Sequence, residues 1–355
     1  MCQLRKDSVI KRYRFVASIL LSTLCGSYAL AQADVPTSTE STTASDSKAT
    51  LDQVLVTGEQ AGPGLWKISK GDHVLWIFGT YAPLPKKMTW RSKEVEAIVA
   101  GSQEVLTTVD VDVDIGFFSG LALLPSMIGL RTNPSGPLKD VVPPELYARW
   151  LVQKEKYIGK DSGIEKWRPI FAANELYSKA LASADFEDPG MDPAEKAQKA
   201  VEKLAKKHKV KITQPTVKMK ITKARAWVKE FKNSPVDDLA CLTKTIERLE
   251  TDMDQLRVRA NAWAVGNVPA LRAKAPIEQQ DACVAAFYSM LNLPGAQERG
   301  FDSIPTKVVD AWVAAAETAL ANNASTFAVL SIDDIFWKDG YVAKLRAKGY
   351  AVDEP

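Results

Sequence analysis

The chain has 355 residues, 46% hydrophobic and 25% charged, an ordinary globular composition with room for one large domain or two small ones. Its formal charge is +3, from 46 Lys+Arg against 43 Asp+Glu. The first 33 residues hold five of those bases and one acid; without them the balance is 41 to 42, or −1, so the pI near 8.5 is no sign of nucleic-acid binding.

From the N-terminus, Arg5, Lys6, Lys11, Arg12 and Arg14 precede the apolar run "FVASILLSTLCGSYAL" and then Ala31-Gln32-Ala33. A basic start, a short apolar core and a small-x-small end predict a secretory signal over 1–33, cut after Ala33, and a periplasmic mature protein. The run is short for a membrane anchor and is broken by Ser and Gly. Leu24 before Cys25 does not fit a lipoprotein site. Residues 34–50 are a Ser/Thr-rich tether with no apolar period, predicted to stay disordered. Residues 51–355 then form the folded domain.

"LDQVLVTG" (51–58) is strand-like. "LWKIS" and "HVLWIFGT" flank Lys70-Gly71-Asp72 and predict a hairpin. Residues 92–103 are helical, with Val95, Ile98 and Val99 on one face. "EVLTTVDVDVD" (104–114) predicts one strand. From about 117 to 300 helical patterns dominate, interrupted by "NPSGP" and "FEDPG". Pro305 opens a helix with an apolar stripe through Val308, Val309, Trp312, Val313, Ala316 and Leu320. "STFAVLSI" (325–332) is a strand, Asp339-Gly340 begins a helix that stops at Gly349, and "YAVDE" is a last strand. The expected class is α/β: a central mixed sheet built from both chain ends, flanked by helices, with a large helical insertion between them.

Two cysteines remain after the predicted cut, Cys241 and Cys283, and in an exported chain they are expected to pair. Asp110, Asp112 and Asp114 alternate with valines, which places three carboxylates on one strand face. Asp333 and Asp334 are expected at the end of a neighbouring strand. An oxygen-only set such as Asp110, Asp112 and Asp334 suits a divalent cation of the Ca²⁺, Mg²⁺ or Mn²⁺ type. The plain alternative is a solvated strand face plus acids that favour a helix N-terminus. Ser331 and Thr80 are hydroxyls at two strand ends, with no histidine in reach to activate them. Residues 196–232 hold thirteen Lys/Arg against Glu202 and Glu230, a solvated helix face or a patch for an acidic partner such as a polysaccharide or lipid headgroups.

"LWKISKGDHVLWIFGTYAPLP" near the start and "FAVLSIDDIFWKDGYVAKLRAKGYAV" at the end give the chain a resemblance to the TraB/GumN family, which includes the Tiki proteases. "GMD" (190–192), "AWAVGNVPALRA" (262–273) and "DAWVAAAETALANN" (310–323) fit the same pattern. The resemblance implies a metal-dependent hydrolase carrying two Gly-x-x-His motifs and two glutamates. Here the first motif reads Gly79-Thr80-Tyr81-Ala82 and the second Ser331-Ile332-Asp333-Asp334, so Ala82 and Asp334 stand at the histidine positions. Thr108 and Gln214 fall where the glutamates are expected. The chain has two histidines, His73 and His208, and neither is in a motif. The resulting expectation is a catalytically degenerate member with no resident cofactor. It would bind a protein, peptide or acidic polysaccharide, and no nucleic acid, in a cleft lined by Gly79, Thr80, Tyr81, Ala82, Thr108, Asp110, Ser331, Asp333 and Asp334. The competing expectation is an active hydrolase using an oxygen-ligand divalent metal, for which at least three carboxylates must converge.

Overall fold

A computed structural model describes residues 62–88, 93–114, 123, 125–187, 195–251, 253–273 and 278–355. The predicted signal, tether and first strand, and the Gly-Met-Asp at 190–192, lie outside these residues. In chain order the strands are β1 (Leu65–Lys70), β2 (His73–Thr80), β3 (Glu104–Leu106), β4 (Asp110–Asp114), β5 (Lys211–Thr213), β6 (Thr216–Lys220), β7 (Ser325–Ser331) and β8 (Ala351–Asp353). The helices of the first half are α1 (Lys93–Gly101), α2 (Leu138–Val141), α3 (Pro144–Tyr157), α4 (Pro169–Ser183), α5 (Glu195–Lys207) and α6 (Ala224–Asn233). Those of the second half are α7 (Leu239–Thr251), α8 (Met253–Ala264), α9 (Val268–Ala273), α10 (Glu278–Leu291), α11 (Pro294–Gln297), α12 (Ile304–Asn322), α13 (Ile332–Phe336) and α14 (Tyr341–Ala347).

The predicted hairpin forms. β1 and β2 pair antiparallel from Leu65↔Phe78 to Lys70↔His73, and Gly71 closes the turn with φ of 64°. β2 and β7 are near-continuous apolar runs, as central strands covered on both faces must be. They pair in parallel from Val74↔Ser325 to Thr80↔Ser331. The main sheet runs β5-β3-β7-β2-β1-β8, parallel from β5 to β2 and antiparallel at β1 and β8. Both chain ends therefore share one mixed sheet, as expected, and β5 joins it from the middle of the chain. Its core includes Trp66, Leu75, Phe78, Val105, Trp312, Phe327 and Val329, all essentially buried.

Two expectations need correction. The segment 104–114 is two strands in two sheets. The chain leaves the main sheet after Leu106, where the Thr108 amide and hydroxyl both donate to Gln198 Oε1 on α5, at 3.1 and 2.6 Å. It re-forms as β4, which pairs in parallel with β6 as a separate two-stranded sheet. The basic stretch 196–232 is also no single helix face; it spans α5, β5, β6 and α6.

The helical insertion has its own core, in which Leu138, Trp150, Leu176, Leu242 and Ile246 are buried. Cys241 of α7 and Cys283 of α10 lie at disulfide-bonding distance there, with Cα atoms 4.4 Å apart. Buried Arg168 ties this unit to the end of α6 by donating to Phe231 O and Ser234 O at 2.5 and 2.9 Å. Among the described residues no helix is long and apolar enough to cross a membrane.

Candidate functional site

The parallel strands β2, β7, β3 and β5 end on the same edge of the sheet, the edge where open α/β sheets carry their binding crevices. Thr80 and Ser331 are register partners there. Gly79 is required by close packing: a Cβ would come within 2.5 Å of Trp66 Cζ3 and 2.6 Å of Ile332 Cδ1. Its carbonyl accepts a 2.7 Å hydrogen bond from Trp263 Nε1 of α8, which anchors the strand end to the insertion.

The hydroxyls at this edge are structural. Thr80 is buried and its Oγ1 donates to Leu330 O at 3.3 Å. Ser331 Oγ accepts from the Asp334 amide at 3.0 Å and so caps α13, whose first turn carries Asp333 and Asp334. The plain reading of those acids as helix-start residues therefore describes their place. Thr108 is held by Gln198, one strand away from Ser331.

The two motifs meet through a residue outside both. Arg259 of α8, buried to 4% exposure, lies over the Tyr81 ring with its guanidinium carbon 5.5 Å from the ring centre. Its Nη2 stands 3.9 Å from Asp333 Oδ1. Arg248 of α7, also buried, lies 5.1 Å over the Tyr177 ring. Burial pushes the Tyr81 phenol far above its ordinary range, against the opposing pull of Arg259 and Arg248 and with the help of Tyr177 and Asp333. Among the described residues the buried Tyr81 hydroxyl has no hydrogen-bond partner. On the outer side Tyr288 of α10 is raised by burial and then by Asp334. Ala82 follows Tyr81 and brings no polar side chain.

Asp110, Asp112 and Asp114 do not lie at this edge. They lie on β4 in the second sheet, exposed on one face, and in register Asp112 stands opposite Lys218 and Asp114 opposite Lys220. Between them Val111 packs against the small cluster of Val217, Met219 and Phe301. The alternation thus makes a charged ladder over an apolar face. β4 does not neighbour β7, so the expected convergence with Asp333 and Asp334 does not occur; among the described residues no three His, Cys, Asp or Glu side chains are grouped to hold a metal. Gln214 follows β5 at the same edge of the sheet. Both histidines have long-range partners away from this edge: His73 Nδ1 is 2.6 Å from Leu320 O, and His208 Nε2 is 3.3 Å from Glu96.

Arg248, Arg259, Tyr177 and Tyr288 were missed in the sequence. A signal existed for the arginines. Arg248 lies on the buried stripe of α7 with Cys241, Thr245 and Leu249, and Arg259 on that of α8 with Leu256, Ala260 and Trp263. A cation at a buried helical position needs a reason. Chemically, guanidinium groups do not exchange protons near neutral pH, and a phenol raised this far stays protonated. The set can hold an acceptor or an anion and is poorly suited to activating water. The imidazole pair implied by the motif pattern is absent, and a fixed cation stands between the motifs, so these residues do not fit a divalent metal. No curated protein and no solved structure matches the chain. The model of the TraB/PrgY/gumN family matches residues 64–354, nearly the whole described chain, and the chain belongs to the TraB/PrgY/gumN family.

Proposed function

We propose that this chain is an exported family member that has given up hydrolysis and works by binding, through the crevice at the carboxyl edge of the main sheet. The observation that carries this reading is Arg259: a buried guanidinium in contact with Tyr81 of the first motif and 3.9 Å from Asp333 of the second. A permanent positive charge there already balances Asp333 and opposes a divalent cation. The partner is a peptide, protein or acidic polysaccharide that presents a hydrogen-bond acceptor or carboxylate to the arginines and the Tyr81 hydroxyl. Buried polar groups of this kind are normally satisfied, and a ligand acceptor would satisfy this one.

The competing reading, a hydrolase with aspartate-bound metal, requires Asp110, Asp112 and Asp334 to converge, and two of them stand on another sheet. The test is turnover. The full chain is incubated with peptide and glycoside substrates and added Zn²⁺, Mn²⁺ or Co²⁺, alongside Asp334→Asn. The binding reading predicts no metal-dependent turnover in either protein. Turnover that needs metal and is lost in Asp334→Asn overturns it.

A further inference from the structure

One tight turn carries a large apolar side chain at its corner, where turns usually place small or polar residues. The Leu130 amide donates to Met127 O at 3.1 Å and Gly129 takes φ of 75°, which leaves Ile128 at the corner, 76% exposed. Met127 and Leu130 pack on Leu123 and on Ala224 and Val228 of α6; Ile128 stays outside that cluster. Lys232 of α6 donates to Ile128 O at 2.7 Å and ties the turn to the helix. The turn ends an uncharged run of sequence, "IGFFSGLALLPSMIGL" over 115–130. On α6, Arg225, Lys229 and Lys232 recur at four- and three-residue steps and so share one side of the helix, the side that Lys232 fixes beside the turn. Arg225 and Lys229 are exposed. Glu230, the only acid of α6, falls on another side and accepts from the Gly295 amide at 2.9 Å.

We propose that Ile128 and the Arg225, Lys229 and Lys232 stripe form a surface that rests on an anionic lipid bilayer. Ile128 enters the headgroup layer and the three cations lie among the lipid phosphates. The pairing of the two signals selects this partner. Cations beside an anionic membrane are each worth about 1 kcal/mol, or about five-fold in affinity, and an apolar side chain that reaches the acyl boundary adds a second, charge-independent contribution. A soluble polyanion such as an acidic polysaccharide would satisfy the cations but give Ile128 no apolar surroundings. The fixed backbone of the turn lets Ile128 insert without ordering a loop first. This surface stands on α6 and the turn beside it, away from Thr80 and Ser331, so the inference does not rest on the function proposed for that edge and holds or fails independently of it.

The experiment is flotation of the full chain with phosphatidylcholine vesicles, with and without about one third phosphatidylglycerol. Affinity for the anionic vesicles should be at least about ten-fold higher than for the neutral ones and should fall as salt is raised. Arg225→Gln with Lys229→Gln should lower it about 25-fold, and Ile128→Ser about ten-fold. These positions are exposed, so melting should stay within about 2 °C of the parent. Lys338→Gln with Lys348→Gln flanks α14, beside β8 at the opposite end of the strand order from β5, and removes the same net charge; it should change affinity less than about two-fold. Residues 1–33 carry an apolar run of their own, so each comparison is repeated on 34–355, which keeps every described residue. Equal binding to both vesicles, an equal loss in the Lys338 and Lys348 pair, or binding that vanishes with residues 1–33 would each overturn the proposal. So would unchanged binding in Ile128→Ser, which would assign the stripe to a soluble polyanion.

Discussion

The main sheet is built on near-continuous apolar strands and the two-stranded sheet on alternating ones, and the two patterns lead to opposite ends. In the main sheet, β2 and β7 are buried on both faces and terminate side by side at Thr80 and Ser331. In the small sheet, β4 and β6 keep one face in solvent, where Asp112 and Asp114 meet Lys218 and Lys220. The first arrangement puts strand ends under the insertion, where Trp263 and Arg259 reach them; the second puts carboxylates into water, opposite their own countercharges. Carboxylates in a row do not make a site unless the fold buries or converges them. A single arginine brought in from another element does more to set the chemistry of the crevice.

Breaking the two regions separately should give effects of different size. The largest is expected in the main sheet. Phe327 is fully buried and stacks on Phe78 at 6.4 Å, so Phe327→Ala should cost about 3–5 kcal/mol, read by chemical denaturation. Next comes the insertion. Replacing Cys241 and Cys283 together by alanine opens a link between residues 42 apart and should cost about 2–4 kcal/mol; a free-thiol assay on the denatured, unreduced parent should read near zero. A third test uses pH. Burial would raise the Glu104 carboxyl, but hydrogen bonds from Thr213, Asn323 and Lys211 outweigh it and hold the group below its ordinary 4.5. Because the unfolded chain takes up that proton first, Glu104 contributes its stability above about pH 4.5 and loses it as pH falls through the lower folded value. Glu104→Gln should therefore flatten the acid limb of the stability curve at a cost of about 1–2 kcal/mol near neutral pH. The smallest effect belongs to the small sheet: Asp112→Asn should change stability by no more than about 0.5 kcal/mol and weaken its salt dependence.

Much of the main sheet was legible in the residues because its signals are local and agree with each other. The Lys70-Gly71-Asp72 turn, the apolar runs of β2 and β7 and the stripe of α12 each name one element, and all three form. The break at Thr107-Thr108 was hidden, since it depends on Gln198, ninety residues away, accepting two hydrogen bonds. β5 and β6 are short, and their lysines read as helix surface until their register with Glu104, Asp112 and Asp114 is known. At the edge of the main sheet, Thr80 and Ser331 were read as strand-end hydroxyls and are register partners, whereas Asp334 was expected beside the strand of Asp110 and Asp112, which lies in another sheet. Arg259 and Arg248 were not found, because a pattern built on carboxylates and hydroxyls does not look for cations on the buried faces of two other helices.

Zinc calorimetry on purified full chain shows whether the Arg259 guanidinium stands in place of a metal ion between the two motifs. The native protein should show no stoichiometric Zn²⁺ binding. Ala82→His with Asp334→His should gain affinity, at about 10–100-fold below a site with intact supporting hydrogen bonds, and adding Arg259→Gln should raise it further. Tight one-to-one Zn²⁺ binding by the native chain would contradict the account and restore the hydrolase reading.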